Sequence, residues 1–161
     1  MGCGLPYAIG ASISTPNGLV YCLTGDGGLQ MNIQELETVV REQLPIKIIV
    51  LNNKSLGKIS EIQSGSYGHR YAQTTPSSGY SVPDFEKIAK AYGIKAATLA
   101  TYESLDDYSE WLKDSEPCLI NILMPEDTLL IPKIKWETGK IAPELSEDLL
   151  EKVTQLLEDE I

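Results

Sequence analysis

Two oxygen-bearing side chains, Asp26 and Asn53, each follow an apolar run of strand length. The first run covers 19–24, and the second, rich in β-branched residues, covers 46–51. Carboxylate and amide oxygens are hard donors that suit Mg²⁺ or Ca²⁺. Two side chains do not fill the octahedron that Mg²⁺ requires, so a metal here would also need backbone carbonyls, water and phosphate oxygens.

Two glycines, Gly27 and Gly28, directly follow Asp26. Neither has a side chain to keep a diphosphate away from the backbone, and the segment leads into a helix N-terminus, which favours anions. The glycines and the oxygen donors together predict a metal-bridged diphosphate. Asp-Gly is also a common hairpin turn, and Asn-Asn is ordinary loop composition. The helix-length segment between the two apolar runs argues against a hairpin.

The segment 32–44 between the two runs has the apolar spacing of an amphipathic helix. We expect Asn32 to be its N-cap and Pro45 to follow its end. Its predicted apolar stripe consists of Ile33, Leu36, Val40 and Leu44. Strand, helix and strand in this order make a right-handed crossover between parallel strands. Asp26 and Asn53 then lie at the same edge of the sheet, where open α/β sheets bind ligands.

The whole chain predicts an α/β fold with a mostly parallel sheet and helices on both faces. It also predicts a helix over 6–13, a short helix that follows Ile59 and ends at Gln63, and a helix over 83–92 before Gly93. A further helix carries Leu105, Tyr108 and Leu112, and strands are predicted over 96–100 and 118–123.

The remaining segments carry weaker signals. The stretch 64–81 is a long loop of the kind that forms lids or interfaces, and we expect His69 to be exposed in it. We expect one domain over 1–161 with a C-terminal extension over 125–161. In that extension 125–143 is irregular, Trp136 is a candidate interface anchor, and Ser146 caps a last amphipathic helix.

Composition narrows the class of protein. The net charge is −10 with no basic run, which argues against a nucleic-acid partner. The three cysteines, Cys3, Cys22 and Cys118, have no metal-ligand spacing, and we interpret them as buried, reduced thiols of a cytoplasmic protein. The sequence shows no charged leader with an apolar core and no apolar run of about 18 residues, so we predict neither a signal peptide nor a membrane span.

The motif Gly25-Asp26-Gly27 followed by Asn52-Asn53 resembles the cofactor motif of thiamin diphosphate (ThDP)-dependent enzymes. The resemblance covers about residues 1–134 and is to the diphosphate-binding domain of acetolactate synthase large subunits. It is carried further by the segments 1–11, 30–36, 82–89 and 117–120.

The resemblance implies ThDP and Mg²⁺ as cofactors. It implies three metal ligands: the side chains of Asp26 and Asn53 and the main-chain carbonyl of Ser55. The implied cofactor-binding residues are Met1, Gly25, Asp26, Gly27, Gly28, Asn53, Ser55, Leu56, Gly57, Lys58 and Ile59.

Three of these positions leave alternatives open. The family counterpart of Met1 props the bent cofactor, but a first methionine is also the ordinary start of translation. Lys58 stands where acetolactate synthases have methionine; it either faces the pocket, where it would bind a carboxylate or phosphate, or faces solvent. Gly28 stands where a serine is common, so one hydroxyl to the diphosphate is missing.

The implied activity is that of a 2-oxo acid carboligase or decarboxylase. In the family, a glutamate from a pyrimidine-binding domain of the same or another subunit activates the cofactor, so we assign no catalytic residue to this chain and expect it to be inactive alone. We expect a homo-oligomer, with Met1 either internal to a longer enzyme or the start of a split gene.

Two alternatives to this function remain. One is a ThDP-dependent decarboxylase or lyase associated with surface-polysaccharide synthesis, which Lys58 and the long loop mildly favour. The other is a non-catalytic, receiver-like phosphate-binding module. Such a module needs clustered acids at its first strand, and Asp26 has no acidic neighbour in the sequence.

Overall fold

A computed structural model of the chain describes residues 1–16, 18–128, 133–134, 141–142, 146, 148–149 and 151. The chain forms two compact units, Met1–Thr128 and Leu129–Ile161. The boundary lies near the predicted start of the C-terminal extension, and the single domain over 1–161 stays a prediction. All of the predicted site residues belong to the first unit.

The first unit is built on a four-stranded parallel sheet in the order β1-β2-β4-β3. The register pairs Gly25 with Leu51 and Asn52 with Leu123, so the carboxyl ends of the first, second and fourth strands meet at one edge. The apolar runs in the sequence are explained by this arrangement, because helices cover strands of parallel sheets. The strands are β1 (Val20–Gly25), β2 (Ile46–Asn52), β3 (Lys95–Leu99) and β4 (Cys118–Leu123).

Helices pack on both faces of this sheet, which confirms the predicted fold class. One face is covered by α1 (Gly4–Ser14), α2 (Asp26–Gln30), α3 (Leu36–Arg41) and α5 (Phe85–Ala91), through buried residues such as Leu5, Leu29, Leu36 and Phe85. The other face of β3 and β4 packs against a 3₁₀ helix (Tyr102–Tyr108) and α6 (Ser109–Lys113). Between β2 and α5 lie α4 (Gly57–Ser66) and a 3₁₀ turn (Pro76–Ser78).

The crossover from β1 to β2 differs from the predicted single helix over 32–44. It consists of α2, a 3₁₀ turn (Ile33–Glu35) and α3. Asn32 stands at the N-cap position of the 3₁₀ turn, but its side chain does not cap that turn, because its amide donates to the Gly2 carbonyl at 2.6 Å. The interruption of the helix also changes which residues of the predicted apolar face are buried, since Val39 is fully buried and Val40 only partly.

Other predictions need smaller corrections. The helix through Leu105 and Leu112 is a 3₁₀ helix followed by α6, and α4 runs past Gln63 to Ser66. The helix α5 is confirmed, with Asp84 accepting the Lys87 N–H and Gly93 in the left-handed region at φ +86°.

The second unit contains a short antiparallel pair, β5 (Lys133–Ile134) with β6 (Ile141–Ala142), inside the stretch predicted to be irregular. The Ser146 hydroxyl accepts the Leu149 N–H at 3.3 Å, as a helix cap does. Trp136 and most of the predicted last helix lie outside the described residues.

All three cysteines are free thiols. Cys22 and Cys118 are buried, and burial raises the pKa of both thiols. Cys3 is exposed, so the expectation of burial was wrong for this residue. No helix in the described ranges is long and apolar enough to cross a membrane.

A buried lysine closes the amino edge of the sheet. Lys47 on β2 has no exposed side-chain surface, and its Nζ donates to Asp114 Oδ1 at 2.7 Å and to the Glu116 carbonyl at 2.5 Å. Lys95 at the start of β3 also pairs with Asp114. The hydrogen bonds from Lys47 and then Lys95 lower the pKa of Asp114 from 3.8 to about 2.

We predict that Asp114→Asn lowers the free energy of unfolding by about 3 kcal/mol, because it leaves the buried Lys47 charge without its carboxylate. In the wild type the folded-state pKa of Asp114 lies below its ordinary value of 3.8, so the pair stabilises fully above pH 4 and its contribution is lost as the pH falls toward 2. Urea unfolding between pH 2 and pH 7 measures both effects.

The matched control is Glu110→Gln, which removes an exposed carboxylate 3.9 Å from Lys113. We expect a change within about 0.5 kcal/mol for this variant. Equal stability of the two variants at pH 7 would contradict the role given to the buried pair.

Candidate functional site

Asp26 lies where β1 ends and α2 begins, and it is only 3% exposed. Its Oδ1 accepts the Gly27 N–H at 2.7 Å and its Oδ2 accepts the Ser55 N–H at 3.2 Å. Burial raises the pKa of Asp26, while the backbone hydrogen bonds from Gly27 and Ser55 act in the opposite direction. None of the ion pairs among the described residues involves Asp26, so its carboxylate is buried without a cationic side chain.

The Ser55 N–H links the two predicted metal ligands. It donates both to Asp26 Oδ2 at 3.2 Å and to Asn53 Oδ1 at 3.3 Å, so the two oxygens lie on either side of one backbone donor. The Asn53 Nδ2 donates to the Glu126 carbonyl at 3.4 Å, which is consistent with the amide oxygen facing Asp26. Lys54, between the two residues, takes a left-handed conformation at φ 54° that turns the chain back toward Asp26.

A buried polar network beneath this turn was not predicted. Asn52 is 2% exposed; its Nδ2 donates to Asn121 Oδ1 at 3.1 Å and its Oδ1 accepts the Lys54 N–H at 3.1 Å. The Asn121 amide in turn donates to Thr98 Oγ1 at 3.4 Å. The network connects three strands below the turn, and an Asn inside the apolar run of β4 was the signal in the sequence.

Side chains from three segments converge at Gly27. A Cβ at this position would lie 2.5 Å from Leu56 Cδ2, 3.2 Å from the Tyr80 hydroxyl and 3.9 Å from Met1 Sδ. The structure therefore brings together Gly27, Leu56 and Met1 from the predicted set, and it adds Tyr80. At Gly28 a Cβ would lie 2.8 Å from Thr24 Oγ1.

The segment 73–80 contacts the turn after β2 and reaches Gly27 through Tyr80. The Thr74 carbonyl accepts both the Ser55 hydroxyl at 2.9 Å and the Leu56 N–H at 2.8 Å. Burial, followed by the negative charge of Asp26, raises the pKa of Tyr80 to about 12. The sequence predicted only a long loop here, because contacts through the Thr74 backbone leave no signature in side-chain type.

Other predicted site residues lie at the margin. The Lys58 side chain is 69% exposed and pairs with Glu61 at 2.8 Å, and Ile59 is 39% exposed. A Cβ at Gly57 would lie 3.1 Å from Asn53 Nδ2, so the start of α4 adjoins the metal position. His69 is exposed, as expected, and contacts the Ser64 hydroxyl at 3.1 Å.

The oxygen donors of this site favour a metal that also binds phosphate oxygens. No group of three or more His, Cys, Asp or Glu side chains suited to a metal occurs among the described residues. A cation held by Asp26 and Asn53 would thus take its other ligands from backbone, water and phosphate, as Mg²⁺ does in phosphate sites. Gly27 has no side chain, and the space that a Cβ would take is occupied by Leu56 and the Tyr80 hydroxyl.

Comparison with known proteins supports this interpretation. The model of the family described as "Thiamine pyrophosphate enzyme, C-terminal TPP binding domain" matches residues 1–122. The chain belongs to this family. Thiamine pyrophosphate (TPP) is ThDP, so ThDP is the cofactor of this TPP-binding domain and the predicted resemblance is confirmed. The receiver-like alternative is wrong, because it requires a different family.

Relatives of this TPP-binding domain are much longer proteins. The acetolactate synthase large subunit of Pyropia yezoensis is 39% identical over 135 residues, which are 83% of this chain and 22% of the relative. Acetolactate synthase isozyme 2 large subunit of Escherichia coli K12 is 38% identical over 127 residues, which are 78% of this chain and 23% of the relative. The chain thus spans less than a quarter of the length of these curated relatives.

A solved structure gives the same fold. The Rhodococcus jostii RHA1 thiamine diphosphate-dependent 4-hydroxybenzoylformate decarboxylase superposes with a TM-score of 0.68 at 28% identity. The match covers 80% of this TPP-binding domain and 24% of that chain.

We predict that Gly27→Ala weakens ThDP binding about tenfold while it lowers the free energy of unfolding by only about 1 kcal/mol. The new methyl group meets the flexible end of Leu56 at 2.5 Å, and Leu56 can rotate away, but the displaced side chain and the methyl group then take space where we expect the cofactor to bind. Calorimetry with Mg²⁺-ThDP and urea unfolding measure the two effects.

The control is Gly10→Ala on α1, where a Cβ meets no atom within 4 Å. This change should leave ThDP binding as it is and stabilise the helix by about 0.5–1 kcal/mol. ThDP affinity of Gly27→Ala equal to that of the wild type would show that the diphosphate does not approach Gly27.

Proposed function

We propose that this TPP-binding domain holds the diphosphate of ThDP through Mg²⁺ in an enzyme that decarboxylates a 2-oxo acid and joins the product to a second carbonyl compound, as an acetolactate synthase does. The observation that carries the proposal is the Ser55 N–H shared by Asp26 Oδ2 and Asn53 Oδ1. It fixes the two oxygens that we assign to the metal close to Gly27, which has no side chain of its own.

The Asp26 carboxylate, the Asn53 amide oxygen and the Ser55 main-chain carbonyl would hold the metal, which would take its other ligands from the diphosphate and water. The diphosphate would lie along the backbone of 25–28. The buried Asp26 charge supports this assignment, because burying a carboxylate without a cation costs free energy that a bound metal offsets.

The remaining predicted residues surround the cofactor. Leu56 and Met1, which converge over Gly27, contact its apolar part. At the start of α4, Gly57, Lys58 and Ile59 lie at the outer margin of the proposed cofactor site. The exposed Lys58 ammonium pairs with Glu61 there.

ThDP supplies the carbanion chemistry by which 2-oxo acids lose CO₂. This chain binds and orients the diphosphate, and the proton-transfer glutamate comes from a pyrimidine-binding domain of the same or another subunit. We therefore propose no catalytic residue here and expect no turnover by this chain alone, because an acid–base group must lie within hydrogen-bond reach of the proton it moves.

A decarboxylase or lyase is the second candidate. The similar solved structure is a decarboxylase, and Lys58 places a cationic side chain where the resembled synthases have methionine. The three free thiols are consistent with a reducing compartment, and we propose the cytoplasm.

The partner surface includes the exposed face of β1. Tyr21 is 50% exposed, Leu23 is 64% exposed and the neighbouring Leu51 is 39% exposed. These residues share one face of the sheet, as the register of β1 with β2 shows. An apolar face of this kind marks a protein interface, and we propose a homo-oligomer.

We predict that ThDP binds this chain only with a divalent ion, because the metal joins the Asp26 and Asn53 oxygens to the diphosphate. Calorimetry should detect binding with Mg²⁺ and none in EDTA. Asp26→Ala and Asn53→Ala should each weaken the binding by tenfold or more.

The control is Asp107→Asn, which removes an exposed carboxylate outside the site and should bind as the wild type does. Equal ThDP affinity in Mg²⁺ and in EDTA would contradict the metal bridge.

We predict that the chain self-associates at micromolar concentration and that Leu23→Lys shifts it to monomer, since the lysine places a charge in the apolar face of β1. Sedimentation velocity measures the species. Gln34→Lys adds the same charge at an exposed polar position and should change nothing. A monomeric wild type at that concentration would count against the interface.

A further inference from the structure

Tyr80 ends in a hydroxyl that is buried and has no hydrogen-bond partner among the described residues. An unpaired buried hydroxyl lowers stability, and native proteins contain few of them. The Ser12 hydroxyl is also buried and unpaired, but it lies within helix α1, and Ser12 is not among the predicted site residues. The Tyr80 hydroxyl instead lies at the cofactor site, which suggests that its partner is a ligand.

The position of the hydroxyl is given by Gly27. The oxygen is 3.2 Å from the point where a Gly27 Cβ would stand, and Leu56 Cδ2 and Met1 Sδ lie around the same point. The hydroxyl therefore points at the backbone that follows Asp26, along which the diphosphate is proposed to lie.

The segment that carries Tyr80 is fixed by its own hydrogen bonds. The Tyr80 N–H donates to the Thr75 carbonyl at 2.9 Å, and Thr75 and Ser78 form a reciprocal capping box around the turn. Gly79 takes φ +102°, a conformation that glycine adopts without strain. The turn is also tied to the metal-binding segment, because the Thr74 carbonyl accepts from Ser55 and Leu56.

The acceptor for Tyr80 is not the nearby carboxylate. Asp26 already accepts the N–H groups of Gly27 and Ser55, and the Tyr80 hydroxyl forms no hydrogen bond with it. A phenol is a donor at neutral pH and needs an acceptor oxygen. The anionic oxygens of the diphosphate that we propose along 25–28 are acceptors of this kind.

We propose that the Tyr80 hydroxyl donates a hydrogen bond to a diphosphate oxygen of the bound cofactor and is a specificity contact for the diphosphate. The inference rests on the proposed function, since it requires the diphosphate to lie along 25–28. Tyr80 thus supplies from the loop a hydroxyl donor at a site where Gly28 has none.

The test is Tyr80→Phe, which removes only the hydroxyl. Calorimetry with Mg²⁺-ThDP and with Mg²⁺ and inorganic pyrophosphate should show Kd raised about tenfold for both ligands. Urea unfolding without ligand should show a midpoint equal to or higher than that of the wild type, because the variant loses an unpaired buried atom. The control Tyr67→Phe, at an exposed tyrosine, should match the wild type in both measurements.

The outcomes separate this proposal from the proposed function. If the wild type binds both ligands and Tyr80→Phe binds pyrophosphate as tightly as the wild type does, the proposed contact is wrong. The proposed function would be unaffected by that result. A lower urea midpoint would show a protein partner for the hydroxyl and would also overturn it. An equal loss of affinity for Mn²⁺ alone, measured by electron paramagnetic resonance, would assign the hydroxyl to the metal instead. Absence of any wild-type binding with Mg²⁺ would overturn both proposals.

Discussion

The structure of the site depends on one shared hydrogen-bond donor, the Ser55 N–H. It holds Asp26 Oδ2 at 3.2 Å and Asn53 Oδ1 at 3.3 Å, and so joins the end of β1 to the turn after β2. The parallel pairing of the two strands brings their carboxyl ends side by side, but pairing alone leaves the side chains free to turn outward. The donor restricts them, because both oxygens must face the same N–H. The two oxygens that we propose as metal ligands are thus preorganised by the backbone.

The turn after β2 is stabilised by two sets of hydrogen bonds, one from the buried Asn52 and one to the Thr74 carbonyl. The buried Asn52 accepts the Lys54 N–H and ties the turn to Asn121 on β4, and the Thr74 carbonyl binds the residues that follow. The left-handed Lys54 is a strained conformation for a residue with a side chain, and these contacts stabilise it. A conformation of this kind is expected where the chain must present a backbone N–H and a carbonyl to a metal site.

The sequence was sufficient to predict the features that follow from periodicity and from strand order. The strands β1, β2 and β4, the shared sheet edge and the pairing of Asp26 with Asn53 all follow from apolar runs that end in polar residues. Two features could not be predicted. The short helix α2 begins directly at Asp26, and five residues are too few to show helical periodicity. The Tyr80 hydroxyl reaches Gly27 through a turn held by backbone carbonyls, and a carbonyl is the same in every residue type.

The two edges of the sheet each bury a charged side chain, but in the described part of the chain only the charge at the amino edge has a partner of opposite charge. At the amino edge the buried Lys47 ammonium has a carboxylate and a carbonyl as partners, so the charge is compensated within the chain. At the carboxyl edge the buried Asp26 carboxylate has only backbone N–H groups, and the Tyr80 hydroxyl beside Gly27 has no partner at all among the described residues. A compensated pair needs no ligand, whereas an uncompensated carboxylate with a free donor next to it favours a cation bound to an anion. The metal and the diphosphate that we propose would supply the cation and the acceptor oxygen that Asp26 and Tyr80 lack among the described residues, and this would favour their binding.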